Sequence, residues 1–172
     1  RGAVLIGDGT GVGKGRTTAS IILDNWNQGR RRLLWVSENW RLQEDAKRDL
    51  EGIGAHDLAR GLVGLNKLHK SGKPIEHKGV VFATYDLLRS KDAKGNTVEA
   101  LVSQWLQGAD EADGAVVVFD ESHEMKNTVA AGRFAKPSQI GTVTASLRAK
   151  HPNLRTAFLS ATSATEVSNL GY

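Results

Sequence analysis

Five short, almost unbroken apolar runs punctuate the chain, at residues 3–6, 33–36, 80–83, 115–119 and 156–159. None alternates between apolar and polar positions. Runs of Val, Ile, Leu and Phe of this length are what strands buried on both faces look like, so each predicts a strand. Residues 61–65 are a weaker sixth candidate, because glycine weakens a strand interior. Between the runs the period changes to that of a helix. Ala19, Ile22, Leu23 and Trp26 share one face, with Gly29 as a stop. Leu42, Ala46 and Leu50 repeat every four residues, and Gly52 follows. Val98, Leu101, Val102, Trp105 and Leu106 form the cleanest stripe. Asn96 is the expected cap of that helix, with Glu99 three residues on as in a capping box, and Gly108 ends it. Ile140, Val143 and Leu147 mark a further helix after Pro137 and Ser138. Its last turn holds Arg148 and Lys150, suited to the negative end of the helix dipole, before Pro152.

Strands alternating with helices predict an α/β fold built on a parallel sheet with right-handed crossovers. Residues 67–78, basic and containing Pro74, and residues 127–137, containing Gly132, read as loops. No repeat or low-complexity tract interrupts the pattern.

Composition narrows the class a little. At 172 residues, 40% apolar and 24% charged, the chain suits one domain and excludes a disordered tail, a collagen-like repeat and a coiled coil. No apolar run nears the roughly 20 residues needed to cross a bilayer. With no cysteine, disulfides, thiol chemistry and cysteine-based zinc are excluded, which fits an intracellular protein. The formal charge of +4 leans only mildly toward polyanions. Arg1 in place of Met and an unpunctuated end at Tyr172 lead us to expect a piece of a longer chain.

The densest candidate chemistry is Asp8-Gly9-Thr10-Gly11-Val12-Gly13-Lys14-Gly15-Arg16-Thr17, between a predicted strand and an amphipathic helix. Glycines let the backbone turn tightly, so that successive N–H groups converge on phosphate oxygens. The helix N-terminus adds its partial positive charge. Lys14 would reach the β- and γ-phosphates. A glycine cluster alone is more often a plain turn; strand, loop, Gly-Lys and helix together favour phosphate binding. Two positions depart from G-x-x-x-x-G-K-[ST]. Asp8 stands six before Lys14, and Gly15 stands where a hydroxyl normally ligates Mg²⁺. Thr17, Thr18 or water could fill that role.

The next signal is the apolar run ending in Asp120-Glu121-Ser122-His123. Ligands bind at the C-terminal ends of parallel strands. Asp120 fits a Mg²⁺-binding carboxylate, and Glu121 the group that orients or deprotonates the attacking water. Ser160-Ala161-Thr162 closes the last run; small hydroxyl residues there can relay the state of a γ-phosphate, or simply cap a turn. The five histidines show no metal-ligand spacing, and apart from His123 they read as exposed or capping residues. Trp26, Trp35 and Trp105 lie on core faces. Trp40 follows a strand end and either packs or stacks a base. The arginines at 30–32 and the lysines at 67, 70, 73 and 78 read as solvated, the lysines being the better electrostatic patch.

In this order, each at a strand end, the three signals resemble a helicase-like ATPase of superfamily 2, with Asp120-Glu121-Ser122-His123 as its DExH box and Ser160-Ala161-Thr162 as its motif III. Asp8 with Gly11-x-Gly13-Lys14 resembles motif I of the Swi/Snf-type ATPases. A closer resemblance is to the strawberry notch family, carried by Gly11-Val12-Gly13-Lys14-Gly15-Arg16-Thr17, by Trp35-Val36-Ser37, by residues 45–54, by Leu65-Asn66-Lys67, by residues 79–85 and by residues 160–166. The Lys-Gly-Arg-Thr form is normal in that family.

The resemblance implies a P-loop NTPase of RecA-like, three-layer architecture over residues 1–172, the first of two such domains. ATP and Mg²⁺ would be its cofactors, held by residues 8–17 and Asp120, with Lys14 and Glu121 catalytic. His123, Ser160 and Thr162 would couple ATP state to nucleic acid, DNA before RNA, or to the second RecA-like domain. Residues near Ser37 and near Thr84-Tyr85 would face the nucleic-acid track. An intracellular location is implied, cytoplasmic in a bacterium and nuclear in a eukaryote, with no membrane partner. The alternative is an ATP-switched regulatory or scaffold module that does not move on nucleic acid. A P-loop small-molecule kinase fits less well, because it leaves Asp120-Glu121-x-His123 and Ser160-Ala161-Thr162 without a role. The expected arginine finger belongs to the second domain, so this chain alone is expected to hydrolyse ATP poorly.

Overall fold

A computed structural model of the chain describes residues 2–7, 13–108, 114–120 and 139–160. The five continuous apolar runs all form strands: β1 (Gly2–Gly7), β2 (Arg32–Ser37), β4 (Gly79–Thr84), β5 (Ala115–Phe119) and β6 (Arg155–Ser160). The glycine-weakened sixth candidate survives as β3, the two-residue strand Val63–Gly64 at the sheet edge. The order across the sheet is β1-β6-β5-β2-β4-β3, and every pair is parallel. A parallel sheet needs helices on both faces, and the strand side chains divide accordingly.

Leu33, Trp35, Val80, Phe82, Val116 and Val118 point to one face. There they meet Ala19 and Ile22 of α1 (Lys14–Asn27), Ala46 and Leu50 of α2 (Leu42–Gly52), and Leu58 of α3 (His56–Gly61). Leu34, Val36, Val81, Val117 and Phe119 point to the other face. They pack on Leu88 of α5 (Tyr85–Arg89), Val102 and Trp105 of α6 (Val98–Gln107), and Val143 and Leu147 of α7 (Gln139–Lys150). The result is a three-layer α/β sandwich, with each fully buried leucine contributing about 1.5–3 kcal/mol. A one-turn helix, α4 (Leu65–Leu68), and the 3₁₀ turn His69–Ser71 begin the stretch expected to be loop.

Several local expectations are corrected. Thr97, not Asn96, caps α6: its backbone is extended and its hydroxyl accepts the Ala100 N–H at 3.2 Å. Asn96 is drawn instead into a turn, where its N–H donates to Asp92 Oδ1 at 2.8 Å. Glu99 then falls short of the capping-box position and faces Lys150 at 3.6 Å. Arg31 and Arg32 are not merely solvated. Arg31 lies 4.1 Å over the Trp26 ring. Arg32 donates to the Trp105 carbonyl at 2.9 Å, tying the start of β2 to the end of α6. Trp35 and Trp105 are core residues as expected, whereas Trp26 is only half buried. Trp40 packs on the core, 6.0 Å from the Phe82 ring. His77 and His151 are half buried rather than exposed; His151 follows the end of α7, its N–H donating to the Leu147 carbonyl at 3.0 Å, and its Nε2 meets the Ser103 hydroxyl at 2.8 Å. Burial pushes the pKa of both imidazoles down.

Candidate functional site

The C-terminal edge of the sheet gathers the ends of β1, β6, β5 and β2. β1 hands the chain to the glycine-rich segment, and Gly13 then enters α1 with φ of 89°. That left-handed conformation suits glycine, which has no Cβ to clash. Lys14 is the first residue of α1, and its side chain turns inward. Its Nζ lies 3.2 Å from Asp120 Oδ1, with the two side chains only 7% and 10% exposed. A charge this buried is tolerated only when matched, so the pair is a built feature of the site.

Asp120 directly follows β5 and is pinned from both sides. Its N–H donates to the Val36 carbonyl at 2.8 Å, and its carbonyl accepts the buried Tyr85 hydroxyl at 2.7 Å. The buried Tyr85 therefore buttresses the site from the core side. Ser160, the last residue of β6, pairs in register with Gly7, the last residue of β1. β6 thus delivers its end beside the start of the phosphate loop. Asp8, Gly9, Thr10, Gly11, Val12, Glu121, His123 and Thr162 lie outside the described residues, as does the 127–137 segment.

The two candidate hydroxyls differ. Thr18 is fully buried under α1, its hydroxyl donating to the Lys14 carbonyl at 3.0 Å, so it is sealed away from a ligand. Thr17 donates to the Gly13 carbonyl at 3.0 Å and remains partly accessible. Ser37, at the end of β2, is fully buried, while Glu38 and Asn39 beyond it are exposed.

A further residue, missed from the sequence, stands beside this group. Asp49 of α2 rests against Gly15: a Cβ on Gly15 would overlap the Asp49 carboxylate, whose Cγ is 2.8 Å from that point. Arg16 reaches the other way, its Nη2 3.0 Å from where a Cβ of Gly52 would sit. Partial burial raises the Asp49 pKa, the Arg16 charge opposes that rise, and the Asp120 charge adds to it. The signal that could have found Asp49 is Gly15 itself, a glycine where the loop pattern calls for a side chain.

Among the described residues no group of three or more His, Asp and Glu side chains assembles a metal centre. The carboxylates of Asp120 and Asp49 do suit the way Mg²⁺ is usually held with nucleotides, by one or two carboxylates plus phosphate oxygens and water. Among the described residues no helix is long and apolar enough to cross a membrane.

A family model described as P-loop containing NTP hydrolase pore-1 matches residues 1–172. The chain is 40% identical over 176 residues to Protein FORGETTER 1 of Arabidopsis thaliana, a match covering 100% of this chain and 13% of that protein. It is 40% identical over 177 residues to Protein strawberry notch homolog 1 of Gallus gallus, covering 100% and 14%. It is 41% identical over 175 residues to Protein strawberry notch homolog of Caenorhabditis elegans, covering 98% and 9%. The chain therefore spans 14% or less of the length of these curated relatives.

Proposed function

The chain belongs to the P-loop containing NTP hydrolase pore-1 family, of strawberry notch type, and from that footing we propose that it is the ATP-hydrolysing domain of a helicase-like motor acting on nucleic acid. The observation that carries the proposal is the buried Lys14–Asp120 pair at the sheet's C-terminal edge, 3.2 Å apart. It sets a phosphate-seeking cation beside a metal-seeking carboxylate at the foot of a helix N-terminus.

In this reading residues 8–17 cradle the phosphates, and Lys14 exchanges part of its attraction to Asp120 for the γ-phosphate. Asp120 holds the divalent cation directly or through water. That cation, when bound, neutralises charge on the β- and γ-phosphates. Glu121, next along the chain, takes the proton of the attacking water. Phosphoryl transfer needs mostly positioning and charge neutralisation, and a site pinned through Val36 and Tyr85 is already organised for it. Ser160 and Thr162 would carry ATP state outward, since β6 ends beside the phosphate loop, and His123 would do so from the DExH box. A second RecA-like domain in the same protein would supply the arginine finger. Nucleic acid, DNA before RNA, would be the track.

Glu121→Gln tests the chemistry. ATP binding should persist while hydrolysis by the full-length protein falls by about 10²-fold or more; unchanged turnover would remove Glu121 from its role. Binding of the full-length protein to DNA and RNA across a salt series tests the track, and no binding at low salt would sink the motor reading.

A further inference from the structure

In the common phosphate loop a hydroxyl follows the lysine and ligates the magnesium ion that accompanies the nucleotide. This chain has Gly15 there. The space that a side chain at position 15 would enter is filled by the Asp49 carboxylate, which reaches across from α2. Thr18 is sealed under α1 and the Thr17 hydroxyl is turned back onto the Gly13 carbonyl at 3.0 Å, whereas the atoms nearest that space all belong to Asp49. Gly15 and Asp49 are therefore a matched pair: the glycine leaves the room, and the aspartate uses it. Asp49 meets Gly15 and Asp120 meets the Lys14 ammonium, so both carboxylates border the first turn of α1.

We propose that Asp49 supplies the oxygen missing from position 15, its carboxylate serving with Asp120 and the phosphate oxygens as a ligand of the nucleotide's divalent cation. The inference rests on the nucleotide-binding reading above. It makes the site differ from an ordinary phosphate loop in charge. A neutral hydroxyl is replaced by an anion, which strengthens the hold on the cation and opposes the bare phosphates. A residue that only packs α2 against α1 would have no such opposite effects.

Mn²⁺ is the probe, titrated by electron paramagnetic resonance into the full-length protein saturated with a non-hydrolysable ATP analogue. Analogue binding in EDTA is measured alongside. Asp49→Asn should weaken Mn²⁺ binding by about tenfold or more, while analogue affinity in EDTA stays equal or improves. Gly15→Ser alone should also weaken Mn²⁺ binding, because the new side chain and Asp49 collide. Gly15→Ser combined with Asp49→Ala should recover most of the loss, since a hydroxyl then occupies the same place with room to do so. Mn²⁺ affinity unchanged by Asp49→Asn would overturn the proposal. So would Mn²⁺ and EDTA affinities falling together, or a double variant no better than Asp49→Ala. Failure of the underlying reading looks different: the unmodified protein would not bind the analogue with or without Mn²⁺, and the proposal would fall with it.

Discussion

Asp120→Asn in the ligand-free protein would leave the Lys14 ammonium, only 7% exposed, facing a neutral amide where the carboxylate stood. At 3.2 Å the pair's attraction is about 5 kcal/mol if the effective dielectric is about 20. Desolvating each ion costs several kcal/mol, so the intact pair contributes little net stability. The single replacement is another matter. It keeps the desolvation cost of Lys14 and removes the carboxylate that offsets most of it, a loss of up to about 3–5 kcal/mol. For a chain of this size that lowers the unfolding midpoint by about 6–20 °C. Lys14→Met should do similar damage by taking the ammonium away from the buried Asp120 carboxylate. The double variant should be far milder than the two singles combined, with a coupling of about 2 kcal/mol recovered. The assay is urea and thermal unfolding of all four proteins without nucleotide, repeated at high salt, which should change little because the pair is shielded from solvent ions. Single effects that add to within about 0.5 kcal/mol would refute the reasoning, for the two charges would then not be sensing each other.

Thr97→Ala should cost about 1 kcal/mol by removing the cap of α6, whereas Asn96→Ala should cost clearly less; equal losses in urea unfolding would contradict the observed cap. The buried imidazoles set an acid limit on stability. The folded-state pKa of His77 and of His151 is lowered, so the unfolded chain binds more protons. Their contribution is fully present above the ordinary histidine value of about 6.5 and is lost as pH falls below it. Replacing both with Asn should flatten the fall in stability from about pH 6.5 to 5, and an unaltered slope would show that burial does not hold them neutral.

The sheet was legible because burial on both faces leaves an unmistakable trace. The run Val80 to Ala83 has no polar position, so its type follows from the residues alone, while the strand itself extends one residue further at each end, to Gly79 and Thr84. α3 and α5, of six and five residues, were not legible, because little more than one turn cannot establish a period of 3.6. The Asn96–Thr97 slip arose because both residue types cap helices, and the choice was made by Asp92, which recruits Asn96 into a turn. In the candidate site, the meeting of Lys14 with Asp120 was legible because the phosphate and metal chemistry proposed for them demands particular residues at strand ends. Asp49 was not, because it meets Gly15 only through the packing of α2 on α1, and no local pattern encodes that meeting. The roles of Arg31 and Arg32 were hidden for the same reason: a cation in a turn reads as solvated until the tryptophan it touches is placed.

The sheet order has a bearing on how the protein is born. β1 sits at one edge and pairs with β6, so Gly2 lies opposite Arg155 and Gly7 opposite Ser160. On the ribosome β1 emerges well before β6, its partner in the sheet. Until residues 155–160 clear the exit tunnel, β1 lacks the strand it pairs with among the described residues. Such distant pairing is slow to form and leaves an apolar segment exposed in the meantime. The interior strands β2, β4 and β5 can assemble earlier, around the partners already synthesised. A nascent chain stopped before β6 would therefore own every residue of the glycine-rich segment while β1, which leads into it, still lacked its partner strand, so the order of synthesis sets when that end of the sheet can close.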